Sequence, residues 1–242
     1  MRDKYPELEP GSYYHIYNRA NGSERLFLSD DNYRFFLKKY LQHIEPIVNT
    51  YCYCLMPNHF HLLVQVKSED ELIRFFNARA GKNLLGLRIK EKNKQFETNE
   101  IAELTAKNLE GLSMSENNVN IKSEKSIEKL LTSQFSNFFN SYAKAFNKQQ
   151  NRMGSLFMKT FKRIKINDEK YFRNVVNYIH HNPVEAKLSS NLEDWEYSSY
   201  HIITSNEETF LKREELIEWF HDLENFKIVH RFAAEGGEDI DI

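Results

Sequence analysis

His59 and His61 stand one residue apart in the run His59-Phe60-His61-Leu62-Leu63-Val64-Gln65-Val66, and that spacing limits what they can do. Side chains alternate along a strand, so both imidazoles project from one face while Phe60, Leu62, Val64 and Val66 form the other. The apolar set fixes the strand on a core and turns the histidines away from it. Two neutral imidazoles held in this way can share one divalent cation, with positions left open for a phosphate oxygen or water. The alternative is a pair of half-exposed histidines on a sheet face, because His-x-His pairs are common.

A second set of residues lies on a later helix. From Asp168 to Asn182, Phe172, Val175, Val176 and Ile179 form an apolar stripe at helical spacing, with Tyr171, Tyr178 and Asn182 along one margin. Asp168 and Glu169 suit the positive end of the helix dipole, and Pro183 is expected to end the helix. A tyrosine on such a margin is usually a packing residue. Asn182, one turn beyond Tyr178, can place a carbonyl oxygen on the same cation as the two histidines. His180 and His181 add two titratable rings to this turn.

The elements that must position these groups follow from the chain's periodicity. Residues 13–20 (YYHIYNRA) read as a first strand, with Tyr13, Tyr14, His15, Tyr17 and Arg19 making it polar and aromatic. Ser29 caps a helix carrying Tyr33, Phe36, Leu37, Tyr40, Leu41 and Ile44, which Pro46 ends. Val48 to Leu55 is a second strand, Met56-Pro57-Asn58 a turn, and His59 to Lys67 a third strand. Ile127, Leu131, Phe135, Phe138, Tyr142 and Phe146 mark a long helix that stops before Gly154. Residues 155–166 read as a fourth strand, and a last helix runs from about Lys212 to Leu223. The order is a split βαβ pattern: an α+β fold whose antiparallel sheet carries helices on one face and leaves the other for a site. One domain is expected over residues 1–242. A polar insertion occupies about 82–126, and a helical extension with an acidic tail occupies about 201–242.

Composition narrows the function. The net charge of -2 does not announce a nucleic-acid binder, so any DNA site must be a local patch. One exists: between Lys129 and Asn167 there is no acidic residue, while Lys144, Lys148, Arg152, Lys159, Lys162, Arg163 and Lys165 fall there among Phe135, Phe138, Phe139, Tyr142, Phe157 and Phe161. Clustered cations neutralise phosphates, and aromatic faces stack on unpaired bases or simply fill a core. Arg19, on the first strand, is a further phosphate candidate or a plain sheet-face cation. No apolar run approaches the roughly 18 residues of a membrane span, and Met1-Arg2-Asp3-Lys4 does not read as a signal peptide. With only Cys52 and Cys54 available, a reducing cytoplasm is expected.

The motifs taken together carry a resemblance. Met56-Pro57-Asn58-His59-Phe60-His61-Leu62-Leu63-Val64 and Tyr178-Ile179-His180-His181-Asn182-Pro183-Val184-Glu185-Ala186 resemble the single-tyrosine HUH transposases, in particular the REP-associated tyrosine transposases. Gly154-Ser155-Leu156-Phe157, Phe161-Lys162 and Trp195-Glu196-Tyr197-Ser198-Ser199-Tyr200 match in order, so the similarity covers roughly 13–67 and 127–200. The resemblance implies a ferredoxin-like (RRM-like) sheet of the HUH endonuclease type. It makes His59, His61 and Asn182 the metal ligands and Tyr178 the nucleophile. The cation it implies is Mg²⁺ or Mn²⁺, where ligand chemistry alone also admits Zn²⁺. It further implies a single-stranded or hairpin DNA partner, and it leaves open a monomer or a homodimer.

Several readings stay open at this level. Cys54 would face His61 across a two-residue turn, so the cysteines are either a Cys/His zinc site or buried thiols. His180, His181 or solvent would accept the phenolic proton. Trp195, Tyr197 and Tyr200 either pack the segment after the tyrosine helix or hold a DNA hairpin. Beside the strand transferase stand two rivals: an inactive DNA-hairpin-binding protein, and a metal-dependent hydrolase in which Tyr178 is structural. The strand-transferase reading requires the late helix to lay its phenol against the strand that bears the paired imidazoles.

Overall fold

A computed structural model describes residues 5–81 and 124–233. By its contacts the chain divides into two units, Met1–Ser68 with Glu128–Ile242, and Glu69–Ile127. Within the second unit, residues 69–81 form helix α2. Of the polar insertion expected at about 82–126, residues 82–123 lie outside the described residues, as do residues 234–242 of the acidic tail.

The first unit is built on four strands: β1 (Tyr13–Arg19), β2 (Val48–Met56), β3 (His59–Val66) and β4 (Lys162–Ile166). They form one antiparallel sheet in the order β2-β3-β1-β4. Pro57 and Asn58 turn β2 into β3, so Met56 pairs with His59 and Cys54 with His61. Between Thr50 and Cys52 the register shifts by one residue, a bulge at Tyr51. β4 is shorter than the expected 155–166. Gly154, at φ 96, reverses the chain after the long helix, and Leu156, Phe157 and Phe161 are buried anchors of a loop rather than alternating strand residues.

One face of the sheet buries the α1 (Asp30–His43) and α3 (Glu124–Gln149) helices. Phe36 of α1 packs 5.1 Å from Phe60 of β3 and 4.9 Å from Phe138 of α3, while Phe139 lies 5.8 Å from Phe60. Phe36, Phe60 and Phe138 are fully buried, and each such ring contributes roughly 1.5–3 kcal/mol by leaving water. This packing pins β3 by its apolar side, as the alternation of Phe60, Leu62, Val64 and Val66 requires.

The expectation of helices on one face only is corrected by α4 (Glu169–Glu185), which packs on the histidine-bearing face. Its buried stripe of Phe172, Val175, Val176 and Ile179 needs an apolar partner, and this face supplies one. The Phe172 ring lies 5.6 Å from Tyr13 and 5.5 Å from Tyr51. Asp168 caps α4 by accepting from the Tyr171 amide at 2.8 Å, worth about 1 kcal/mol. Pro183 does not end the helix. It lies inside the last turn, and the ladder resumes with the Ala186 amide donating to Asn182.

Beyond α4 the chain returns to the outer edge of β2. The Leu55 amide donates to the Tyr197 carbonyl and the Trp195 indole to the Leu55 carbonyl, at 2.9 and 3.0 Å, while Tyr197 stacks on Tyr33 at 3.6 Å. Trp195 and Tyr197 thus close an edge that would otherwise be left unpaired. Instead of one final helix there are three short ones, α5 (Tyr200–Thr204), α6 (Arg213–Glu218) and α7 (Leu223–Ala233), the last two separated at His221, which has φ 71. Among the described residues no helix is long and apolar enough to cross a membrane.

Candidate functional site

Across the sheet, antiparallel pairing sets the site out in rows. Met56, His59 and Arg19 share one row, and Cys54, His61, Tyr17 and Lys162 share the next. The His59 and His61 rings stand 5.0 Å apart on one face of β3, His59 half-buried and His61 buried. Over them lies α4, whose Tyr178 ring packs edge-on to His61 at 5.3 Å and to His15 at 5.9 Å. Asn182, one turn further on, donates to the Tyr178 backbone carbonyl at 2.7 Å, and its side chain lies close enough to the His59 ring and the Tyr178 hydroxyl to favour the charged form of each. The structure therefore brings His59, His61, Tyr178 and Asn182 into one cluster.

Burial sets the protonation of this cluster. It pushes both imidazoles below their ordinary range, with Arg19 adding to the effect at His59 and the neighbouring rings adding to it at His61. Both are neutral at pH 7, the state a metal-binding imidazole needs. Burial also raises the Tyr178 phenol, which the hydrogen bond from Asn182 partly opposes. The hydroxyl is thus protonated and becomes a nucleophile only when its proton is removed.

His61 also makes a contact that the sequence does not single out. His15 of β1 is fully buried and places Nε2 2.9 Å from His61 Nδ1. The opposite nitrogens, His15 Nδ1 and His61 Nε2, are buried without a hydrogen-bond partner. His59 is arranged alike, with Nδ1 2.7 Å from the Asn58 side-chain oxygen. A buried imidazole nitrogen without a partner fits a cation, as do two neutral nitrogens flanking an amide. Among the described residues no three His, Cys, Asp or Glu side chains are grouped to hold a metal. Any cation here would therefore draw on His59, His61 and the Asn182 oxygen. Cys54 does face His61, but burial raises both thiols, as expected of inert buried cysteines.

With that geometry in place, a solved structure of a REP-associated tyrosine transposase bound to a REP hairpin aligns with 85% of this chain and 87% of its own, at a TM-score of 0.50 and 12% identity. The two share a fold. No protein-family model and no curated protein sequence matches the chain. Likeness to the transposase thus lies in the arrangement of sheet and helices, and the roles of individual residues here rest on this chain's own geometry.

The basic stretch separates into two groups. Lys144, Lys148 and Lys159 are exposed, as is Arg19 beside His59, and Lys162 lies 5.4 Å from the Tyr17 ring in the His61 row. Lys144 and Lys159 flank a cleft of about 480 Å³ walled by Phe139, Phe157 and Phe161. Arg152, by contrast, is bonded to Glu24 and Asn147, and Lys165 to Glu9. Arg163 is buried, donates to the Pro6 carbonyl and lies 5.0 Å from the Phe161 ring. Arg163 as a phosphate contact is therefore corrected: it is a structural cation. Arg152 and Lys165 are held by acids from distant parts of the chain, which is why an acid-free stretch of sequence is not an acid-free surface.

His180 and His181 are held by other partners. His181 donates from Nδ1 to the Asn177 carbonyl at 2.9 Å. His180 lies 2.9 Å from both His230 Nε2 and Ser199 Oγ, and His230 donates to the Phe226 carbonyl at 2.8 Å. The proton order follows from that last bond. His230 Nε2 accepts from His180, and His180 Nε2 accepts from the Ser199 hydroxyl, whose oxygen accepts the Tyr53 amide. This neutral chain ties α7, α4 and β2 together, and it takes up both ring nitrogens of His180, whereas His181 has only Nδ1 committed.

Burial holds His230 down to about 3 and His180 well below its ordinary value. Unfolded imidazoles gain a proton below about pH 6.5, so the stability from this chain is complete above that pH. It is lost as the pH falls toward the folded value, on the order of 1.4 kcal/mol per pH unit for each imidazole. Thermal melts between pH 7.5 and 5 should show a falling midpoint, with a shallower slope in His230→Phe. Equal slopes in the two proteins would contradict this reading.

Proposed function

We propose that the chain is a transposase-type endonuclease and strand transferase for single-stranded or hairpin DNA. It acts through a covalent 5′-phosphotyrosine at Tyr178 with Mg²⁺ or Mn²⁺ as cofactor, on a ferredoxin-like frame. The observation that carries the reading is the contact of the Tyr178 ring with His61, with Asn182 reaching both His59 and the Tyr178 hydroxyl. The strand order β2-β3-β1-β4 and the shared fold with a hairpin-bound transposase support it.

In this reading His59, His61 and the Asn182 oxygen hold the cation. Bound there, it screens the charge of the scissile phosphate and stabilises the crowded transition state. Arg19, exposed in the His59 row, grips a neighbouring phosphate. Tyr178 loses its proton to solvent, because both nitrogens of His180 are engaged elsewhere and the Tyr178 ring is only half-buried. The phenolic oxygen attacks phosphorus, the bond to the 3′ oxygen breaks, and that oxygen leaves as a 3′-OH. The phosphotyrosine ester keeps the bond energy, so a second 3′-OH can displace the phenol and reseal DNA without ATP.

Hairpin oligonucleotides labelled at the 5′ or 3′ end and incubated with the protein and Mn²⁺ test this. Retention of the 3′ label on denatured protein is expected. Cleavage without retained label would indicate a hydrolase with a structural tyrosine, and binding without cleavage would indicate an inactive hairpin binder.

The exposed cations carry a separate prediction. Each phosphate contact to a single strand contributes about 0.7 to the slope of log K against log salt. Replacing Lys144, Lys159 and Lys162 with alanine should lower that slope by roughly 2 and weaken binding, while cutting persists at saturating protein. An unchanged slope would remove these lysines from the interface.

A further inference from the structure

We infer that His15 is a positioning residue for the proposed cation site: by accepting the Nδ1 proton of His61, it leaves the Nε2 lone pair of that ring free for the metal. The inference rests on the proposed role of His61 and adds the residue that fixes its tautomer. His15 is fully buried and His61 nearly so, their rings stack at 5.1 Å with a 29° tilt, and Nε2 of one lies 2.9 Å from Nδ1 of the other.

One proton lies between the two nitrogens, and it has two arrangements. If His15 donates, His61 is protonated at Nε2 and offers no lone pair on the side away from His15. If His61 donates, its Nε2 is bare and His15 carries its own proton at Nδ1. His59 provides the parallel: its Nδ1 faces the Asn58 side-chain oxygen, which can only accept, so its proton is fixed there. His15 gives His61 the same restraint from a different strand. The buried, unpartnered His61 Nε2 is the atom to which this arrangement leaves a lone pair for a ligand. Metal-bound histidines generally donate their second N–H to such a partner, and losing it costs about 10- to 100-fold in metal affinity. The Tyr178 ring rests edge-on against both imidazoles, so their pairing also sets the surface against which the phenol sits.

Mn²⁺ titrations of the full chain, read by the electron paramagnetic resonance of the free ion, test this without reference to cleavage. His15→Phe keeps a ring but cannot accept a proton, and should weaken Mn²⁺ binding about 10- to 100-fold. His15→Gln, whose amide oxygen accepts the Nδ1 proton, should return affinity to within a few-fold of the original. Unchanged affinity in His15→Phe, or equal loss in both variants, would overturn the inference. Should His15→Phe fail to fold, ¹⁵N spectra of the Mg²⁺-loaded unmutated protein decide: a protonated Nδ1 on His61 supports it and a protonated Nε2 overturns it. His61→Ala separates the two levels. If it binds Mn²⁺ as well as the unmutated chain, the metal site itself is wrong, and His15 has no such role. If it loses Mn²⁺ while His15→Phe does not, only the role of His15 falls.

Discussion

Tyr178→Phe should cut DNA about 10⁴-fold more slowly than the unmutated chain, or not measurably, while binding a hairpin with unchanged affinity. The substitution removes one oxygen and keeps the ring that packs against His61 and His15. Its cost to stability is at most that of one hydrogen bond at a half-buried hydroxyl, roughly 0.5–1.5 kcal/mol. Removal of a covalent nucleophile abolishes the two-step route altogether, whereas loss of a packing hydroxyl leaves chemistry intact. Single-turnover cleavage together with equilibrium binding on the same hairpin separates these cases. A variant that cuts at half the normal rate would show that Tyr178 is a margin residue of an amphipathic helix.

The second large effect is expected at the imidazoles. His59→Ala and His61→Ala should each lower cleavage on the order of 10²- to 10³-fold with most of the DNA affinity kept, because the exposed lysines supply that affinity. His59→Ala is the cleaner change, since His59 is half-buried. His61→Ala opens a cavity and strips His15 Nε2 of its partner, so it should also lower the melting temperature. Residues that serve one ion act as a unit, so the double variant should be little worse than either single one. Raising Mn²⁺ should recover part of the activity of His59→Ala. Two variants that cut normally would show that these histidines hold no catalytic cation.

The legible part of this site is the part that lies within single elements. The two-residue period of β3 placed His59 and His61 together and away from Phe60, and the helical period of α4 put Asn182 one turn from Tyr178. What depended on pairing between elements was not legible. His15 reaches His61 only through the register of β1 on β3, which sets Tyr17 opposite His61 and Arg19 opposite His59. A polar and aromatic strand carrying His15, Tyr17 and Arg19 was visible, but the strand and the row it would face were not.

The failures have the same origin. Arg163 belongs to a run without acids, yet its burial under the N-terminal segment near Pro6 is a tertiary fact. His180 is close to Tyr178 in sequence, but two residues along a helix turn a side chain by about 200°, and the buried Ser199 and His230 take up His180 on the far side. Pro183 was read as a terminator, although a proline near the last turn removes a single hydrogen bond that the helix can lose. The second face of the sheet was read as free of helices, although the strand-transferase reading needed the late helix to lie against the histidine strand. The apolar stripe of α4, placed on the histidine face, is what brings the phenol over the imidazoles.

The most direct measurement is mass-spectrometric mapping of the protein after reaction with a hairpin oligonucleotide and Mn²⁺. The account predicts one modified peptide, spanning Tyr178, carrying the 5′-phosphate of the downstream DNA fragment, and none from protein incubated with EDTA. A DNA-bearing peptide at Tyr17 or Tyr171 instead, or cleaved DNA with a free 5′-phosphate and no modified peptide, would contradict it.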